Sequence, residues 1–374
     1  ELTRCFEARA RLRASPREER FVSDQHPIEI AGRPIGPGCR PFVICELSGN
    51  HNGDLDRALA MIDAAAATGC DAIKIQTYTA DTITMDVDRP EFRIHGGLWD
   101  GRSLHELYQE AQTPYEWHPA LFERARARGV ILFSSPFDET AVDLLAGLDA
   151  PAYKIASFEA IDLPLIAYAA RHGKPLIIST GMANLAEIEA ARDTALAAGA
   201  GGVILLHCVS SYPASFADAN LRTIPDMAAR FGCPIGLSDH TPGTAAAVAA
   251  VALGACVIEK HFTLARADGG PDAAFSLEPV EFQALVSDAR SAWESLGQAQ
   301  YDLLGSERAN AQFRRSIYVA ADVKAGAAIT ASDVRSIRPG LGLAPEHRDA
   351  VIGRVAARDL KRGEPMSWDM LEGA

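Results

Sequence analysis

From Phe42 to Glu259 the chain alternates short apolar runs with alanine-rich stretches of helical character, and it does so eight times. The runs are Phe42–Glu46, Ala72–Gln76, Val130–Ser134, Ala152–Ile155, Pro175–Ser179, Val203–His207, Pro234–Leu237 and Ala255–Glu259. They read as buried strands of a parallel sheet wrapped by helices. Most of the intervening stretches carry a glycine near their end (Gly69, Gly129, Gly173, Gly199, Gly254), where a helix turns out toward the next strand. Eight such units predict an α/β fold of the (β/α)8 TIM-barrel type rather than an open doubly wound sheet. No Gly-x-Gly-x-x-Gly follows the first run, which weakens the dinucleotide-binding alternative.

The barrel does not fill the chain. Residues 1–25 are a basic leader (Arg4, Arg9, Arg11, Arg13, Arg17, Arg20) with no apolar segment, expected to be poorly ordered and not a signal peptide. The catalytic barrel is expected over residues 26–300, floored by a hairpin at Ile28–Gly38, with a polar linker over 301–312. Residues 313–374 echo themselves: Asp322-Val-Lys-Ala-Gly-Ala-Ala-Ile-Thr-Ala-Ser-Asp333 against Asp359-Leu-Lys-Arg-Gly-Glu-Pro-Met-Ser-Trp-Asp369. That repeat predicts a small β-rich module of two similar halves, with Arg338 on the loop between them. Within the barrel, the Thr77–Arg128 connection is too long for a plain helix, and long loops on the carboxyl face of a barrel usually belong to the active site.

With 36 basic and 49 acidic residues, a formal charge of −13, a nucleic-acid partner is not expected. No apolar stretch reaches the length of a membrane span; the longest, Ala245 to Ile258, is interrupted by Gly254. Seven scattered cysteines without a Cys-x-x-Cys pair predict a reducing, cytoplasmic compartment. An acidic protein that binds an anion must gather its lysines locally, so inward-pointing lysines are worth following.

Strand carboxyl ends carry the chemistry of such barrels. In order they offer Glu46, Lys74 with Gln76, Ser135, Lys154 with Ser157 and Glu159, Ser179, Ser210 with Tyr212, Ser238 with His240, and Glu259 with His261. Side chains alternate along a strand, so Ser238 shares a face with His240, and Glu259 with His261. The helical stretch between these two runs makes them parallel neighbours. Two imidazoles at adjacent strand ends can share a divalent cation that keeps open positions and acts as a Lewis acid. Two interior lysines are costly unless a multiply charged anion meets them, and hydroxyls around them add donors without charge. The combination predicts a small phosphorylated carboxylate; a Schiff-base lysine is the rival reading. Glu46 is expected near the cation, Glu159 to move a proton, and Asp272 to meet sugar hydroxyls.

The motifs resemble those of the sialic acid synthase family. They are Cys45-Glu-Leu-Ser-Gly-Asn-His-Asn-Gly53, Ile73-Lys-Ile-Gln-Thr77, Phe133-Ser-Ser-Pro-Phe137, Ala152-Tyr-Lys-Ile-Ala-Ser157, Ser179-Thr-Gly-Met182, Gly236-Leu-Ser-Asp-His240 and Glu259-Lys-His-Phe262. The tail is similar to an antifreeze-like (SAF) domain. Gly96-Gly-Leu-Trp-Asp and Thr113-Pro-Tyr-Glu-Trp-His look most like the pseudaminate-forming branch. The resemblance implies condensation of phosphoenolpyruvate with an open-chain N-acetylated sugar, 2,4-diacetamido-2,4,6-trideoxy-L-altrose in that branch, releasing phosphate. The alternative is an N-acetylneuraminate or legionaminate synthase using a different N-acetylated hexose. It implies Mn2+, Mg2+ or Co2+ on His240 and His261, and a domain-swapped homodimer. Phosphoenolpyruvate would be held by Lys74, Ser135, Lys154, Ser157, Ser179, Ser210 and Ser238. The sugar would meet Glu46, Gln76, Tyr212 and Asp272, with Arg338 supplied by the neighbouring subunit. Ser210 stands where the sialic acid branch usually has Asn, and the leader lies outside the family pattern. A keto-deoxy sugar phosphate synthase would need a second basic site, and none stands out. A non-catalytic sugar-binding barrel would not need the lysines, histidines and acids together.

Overall fold

A computed structural model describes residues 27–373, so the basic leader expected over 1–25 lies outside the described residues. The first elements are two short strands, β1 (Ile28–Ile30) and β2 (Arg33–Ile35), paired as an antiparallel hairpin. Eight parallel strands follow: β3 (Phe42–Glu46), β4 (Ala72–Thr77), β5 (Ile131–Pro136), β6 (Tyr153–Ile155), β7 (Leu176–Ser179), β8 (Val203–Cys208), β9 (Ile235–Asp239) and β10 (Val257–His261). Each pairs with the next and β10 closes on β3, which makes the expected barrel. The helices outside it are α1 (Leu55–Ala67), α2 (Ala80–Ile83), α3 (Leu104–Ala111), α4 (His118–Arg128), α5 (Glu139–Gly147) and α6 (Leu163–Ala170), then α7 (Leu185–Ala197), α8 (Thr223–Phe231), α9 (Ala245–Ala252) and α10 (Pro279–Leu296).

Two apolar layers hold the barrel. Between strands and helices, Val43, Ile73 and Ile178 pack with Met61, Leu121 and Phe282, all essentially without exposure. Inside, at the amino ends of the strands, Ile30 and Ile35 of the hairpin join Phe42, Ile44, Phe133, Ile177 and Val257. The hairpin is therefore the floor expected of it. Burial of each such side chain is worth about 1.5–3 kcal/mol. The upper part of the interior is polar, and that is where the site lies.

Two strands run further than the sequence suggests. β9 extends to Asp239 and β10 to His261, because Lys260 and Asp239 point out of the barrel and pair at 2.7 Å, which keeps the polar ends in register. The long connection after β4 contains α2 and α3, and only its last helix, α4, is the ordinary barrel helix. Ser103 and Glu106 form a reciprocal capping box that starts α3, and Gly129, at φ 67°, ends α4 in the left-handed conformation.

A second compact unit begins at Gln298, slightly before the boundary expected at residue 301. The stretch expected to be a plain linker is regular in part, with 3-10 turns over Gly305–Phe313. The unit contains β11 (Ser316–Val319), antiparallel to β12 (Val334–Ile337), and the short helix α11 (Arg348–Val351). The internal echo becomes a reciprocal contact. Val323 bridges Leu360, Lys324 pairs with Asp359 at 2.8 Å, and Lys361 pairs with Asp322 at 3.0 Å. Each aspartate also accepts a backbone N–H from the other half, Ala325 to Asp359 and Arg362 to Asp322, both at 2.9 Å. The two similar halves are thus joined through their matching turns.

Candidate active site

Period-two alternation points the last residues of the strands inward, over the apolar floor. They open into a cavity of about 490 Å³ whose lining includes Lys74, Gln76, Lys154, Ser157, Glu159, Ser179, Ser210, Tyr212, Ser238, His240, His261 and Asp272. Twelve of the residues singled out from the sequence therefore meet around one space. Glu259, which sequence reasoning noted beside His261 but gave no role, turns out to be the electrostatic centre. Its carboxylate lies 3.3 Å from Lys74 Nζ and 3.7 Å from Lys154 Nζ, and accepts from the Ser238 hydroxyl at 3.2 Å. Burial works against its charge, but Lys154 and Lys74 outweigh burial and hold it below the usual glutamate range.

The two lysines are not equivalent. Lys74 also meets Glu46 at 3.1 Å, and Ser135 Oγ lies 3.5 Å away. Burial opposes its charge, yet Glu259 and Glu46 together raise its pKa. Lys154 has a single carboxylate near it, and burial brings it down to about 8. Glu46 and Ser135, expected to touch substrate, are fully buried and do not line the cavity. Glu46 sits beneath the lining instead, where Gln76 donates to it at 2.8 Å, and it braces Lys74 and Gln76 rather than facing the space.

Glu159 ends a 3-10 turn, Ser157–Glu159, just after β6. Burial lifts its carboxyl to about 7, only partly offset by its own backbone N–H and by Lys154. Its Oε2 is buried without a hydrogen-bond partner. Ser179 Oγ and Ser210 Oγ are likewise buried and unpartnered. A side chain at Gly181 would collide with Ser210 Oγ and come within 2.8 Å of Ser157 Oγ. The glycine lets the backbone come close enough for its N–H to donate to Ser157 at 3.2 Å. The result is a hydroxyl-lined corner beside two cations, a natural seat for an anion.

The two histidines stand side by side, ring centroids 5.3 Å apart. His240 Nδ1 donates to the Val209 carbonyl at 2.9 Å, which leaves Nε2 as the nitrogen that can take up a proton or a cation. Burial lowers the affinity of His240 for a proton, but Cys208 at 3.9 Å and that carbonyl reverse the effect. His261 is held well below the usual histidine range by burial and by His240, so its ring is neutral. Its Nδ1 is buried with no hydrogen-bond partner, 3.8 Å from Asp272. Among the described residues no three His, Cys, Asp or Glu side chains are grouped as a metal cage. Two imidazoles, one of them with an orphaned nitrogen, nonetheless fit a divalent cation that leaves its remaining positions to water and substrate. Asp272 accepts a hydrogen bond from the Ser48 hydroxyl. Tyr212 lies 4.4 Å from His240, and Phe275 lies 4.9 Å from His261, ring to ring, so both imidazoles are braced by aromatics.

Arg338 belongs to the second unit, in the loop after β12. The sequence reading passed over Ser48, which lines the cavity, but the long Thr77–Arg128 connection does belong to the site as expected: Tyr78, Ile94, Trp99, Leu104, Leu107, Tyr108 and Ala111 line the same cavity.

The NeuB family model matches residues 61–301, and the SAF domain model matches 314–372. Pseudaminic acid synthase of Campylobacter jejuni is 44% identical over 325 residues, covering 87% of this chain and 95% of its own. N,N'-diacetyllegionaminic acid synthase of Legionella pneumophila is 36% identical, covering 91% of this chain and 97% of its own. The crystal structure of N-acetylneuraminic acid (sialic acid) synthetase from Leptospira borgpetersenii, in complex with citrate, superposes with a TM-score of 0.69 at 33% identity. That superposition covers 77% of this chain and 96% of the other. The chain belongs to the NeuB family, and it carries a SAF domain after its barrel.

Proposed function

We propose that this chain condenses phosphoenolpyruvate with 2,4-diacetamido-2,4,6-trideoxy-L-altrose and water, giving pseudaminic acid and phosphate. The observation that carries the reading is the convergence of Lys74 and Lys154 on Glu259 within one cavity that also holds His240 and His261. The higher identity to a pseudaminic acid synthase than to a legionaminic acid synthase favours this sugar. Lys74 and Lys154 bind the phosphoenolpyruvate anion, and Ser157, Ser179, Ser210 and Ser238 complete its hydrogen bonds. Tyr212, Gln76 and Asp272 orient the sugar. C3 of the enol attacks the aldehyde carbon, water adds at C2, and the bond from C2 to the phosphate oxygen breaks. Glu159 gives a proton to the sugar oxygen as the carbon–carbon bond forms and regains one from the water that adds. Held by His240 and His261, a divalent cation (Mn2+ first, Mg2+ or Co2+ as alternatives) would supply a Lewis acid for the aldehyde oxygen.

The working form is a cytoplasmic, domain-swapped homodimer in which Arg338 of the partner subunit completes the site. Exposed apolar side chains on the connections after the strands (Leu98, Phe158, Ile161, Met182, Phe216) support a partner covering this face. The six described cysteines are all unpaired, which supports a reducing compartment. No helix among the described residues is long and apolar enough to cross a membrane.

Phosphate release from phosphoenolpyruvate, measured with that sugar and with N-acetylmannosamine, tests the reaction. Turnover with the altrose derivative is expected; turnover with N-acetylmannosamine alone would give the alternative product class, and none with either would end the proposal. Chelation should abolish turnover and Mn2+ restore it, and His240→Ala should fold normally yet stay inactive with added metal. A His240→Ala chain that works fully after chelation would remove the metal.

A further inference from the structure

The connection after β4 does more than lengthen the rim. α3 carries Leu104, Leu107, Tyr108 and Ala111 at positions i, i+3, i+4 and i+7, one face of a helix, and all four line the cavity that holds the lysines. Ile94 from the same connection and Phe137 after β5 join them. Such a stripe is ordinarily core. Here only Leu107 is buried, while Ile94, Leu104, Tyr108 and Ala111 are partly uncovered. Apart from the hydroxyls of Tyr108 and of Tyr78, which packs edge-on to Tyr108 and Phe137, the surface offers no side-chain hydrogen-bonding atom, and none comes from Leu104, Ile94 or their apolar neighbours.

This surface is held in place from several sides. α3 is seated on the backbone of Gly49, where a Cβ would lie 2.9 Å from Ala111. His51 Nδ1 accepts from the Gly53 N–H, so its Nε2–H donates to Thr113 at 3.2 Å. Thr77 and His118 bond at 2.7 Å, tying the end of the insertion to β4. On the other side Trp99 Nε1 donates to the Pro271 carbonyl at 3.1 Å, beside Asp272.

We infer that this apolar surface sets sugar selectivity: it receives the methyl-bearing end of a deoxygenated, N-acetylated sugar and leaves a hydroxyl placed there without a partner. The inference rests on the reaction proposed above and names the residues that choose its sugar. A buried hydroxyl with no partner is disfavoured, although an apolar pocket rejects one extra hydroxyl by only about a hundredfold.

The test compares 2,4-diacetamido-2,4,6-trideoxy-L-altrose with its 6-hydroxy counterpart, using the full chain, phosphoenolpyruvate and Mn2+. The wild type should prefer the deoxy sugar by about 10- to 100-fold in kcat/KM. Leu104→Ser and Ile94→Ser, at half-buried positions, should each shrink that preference about fivefold or more while KM for phosphoenolpyruvate stays within about twofold; Leu104→Ile should keep it. If the wild type turns over but both serine variants keep its preference, or lose activity equally toward both sugars, the selectivity inference is overturned and the reaction stands. If the wild type releases phosphate with neither sugar, the reaction itself fails and the inference goes with it.

Discussion

Two lysines of one barrel, both buried, end with opposite shifts because one has two carboxylates beside it and the other has one. Lys74 is a permanent cation. Burial brings Lys154 down to about 8, so it is the lysine whose charge depends on conditions. Glu159 is the complementary case, an acid kept protonated to about pH 7 by burial, with Lys154 and Lys74 facing it as cations and Asp162 and Tyr108 as acidic groups. Both groups are useful in their low-pH forms. The kcat/KM for phosphoenolpyruvate should therefore fall as pH rises through about 7 and fall more steeply above about 8. Glu159→Gln should lower the rate by about 10²–10⁴-fold and leave only the limb near 8. The same carboxyl costs stability. Its folded pKa lies above the unfolded value, so its stabilising contribution is present below pH 4.5 and is lost as pH rises to about 7. Glu159→Gln should therefore be more stable than the wild type at pH 8, by about 3 kcal/mol, in urea unfolding. A variant with an unaltered pH profile and no gain in stability would contradict the assignment. Most of this site was legible in the sequence, since alternation alone brings Glu259 and His261 to one face. What alternation does not give is depth. It could not tell that Glu46 would be sealed beneath Lys74 while Glu259, one strand away, would reach both lysines.

Elements differ in how far a sequence reveals them. The barrel strands are self-announcing, because a strand buried on both faces has to be apolar along its length and has to end where polar side chains begin. The apolar runs understate β9 and β10, since Asp239 and Lys260 are polar and stay in the strands by pairing with each other outside the barrel. The stripe on α3 shows the opposite difficulty. Leu104, Leu107, Tyr108 and Ala111 have helical spacing, but such a stripe is by default core, and it is the cavity beside it that points to a binding surface. Its seat can be tested separately. Gly49→Ala places a methyl 2.9 Å from Ala111 Cα and 3.0 Å from its carbonyl oxygen, with rigid backbone on both sides. The helix has to shift, at a cost of about 1–3 kcal/mol. Thermal unfolding should begin earlier, and KM for the sugar should rise about tenfold with KM for phosphoenolpyruvate little changed, since α3 carries none of the anion's ligands. An unchanged unfolding midpoint would mean that α3 is not held against Gly49.

At the scale of the whole chain the two units obey different rules. The barrel is held by an apolar core spread over eight repeated units, whereas the SAF domain has a small core (Ile317, Ile329, Val334, Leu360, Met366) and reciprocal turn contacts between its halves. The internal echo announced that second architecture because the residues repeated, Asp-x-Lys-x-Gly, are the ones that make the contact. In the proposal above, the small module lends the neighbouring subunit's site an arginine on a loop, Arg338. Sharing of sites between subunits has a consequence that a purely structural module does not. In a chain with Arg338→Ala the barrel is intact but the arginine it lends is gone; in a chain with Lys154→Met the barrel is dead but its arginine is whole. Each alone should have little activity, the first through a raised KM and the second through lost phosphoenolpyruvate binding. Unfolded and refolded together in equal amounts, about half of the dimers are mixed, and each mixed dimer pairs one intact barrel with one intact arginine. That restores about a quarter of wild-type sites. Activity in the mixture well above the sum of the two parents is the expected result, and it should need refolding together rather than simple mixing. Activity equal to that sum, with mixed dimers verified by mass, would confine each arginine to its own chain or to no site at all.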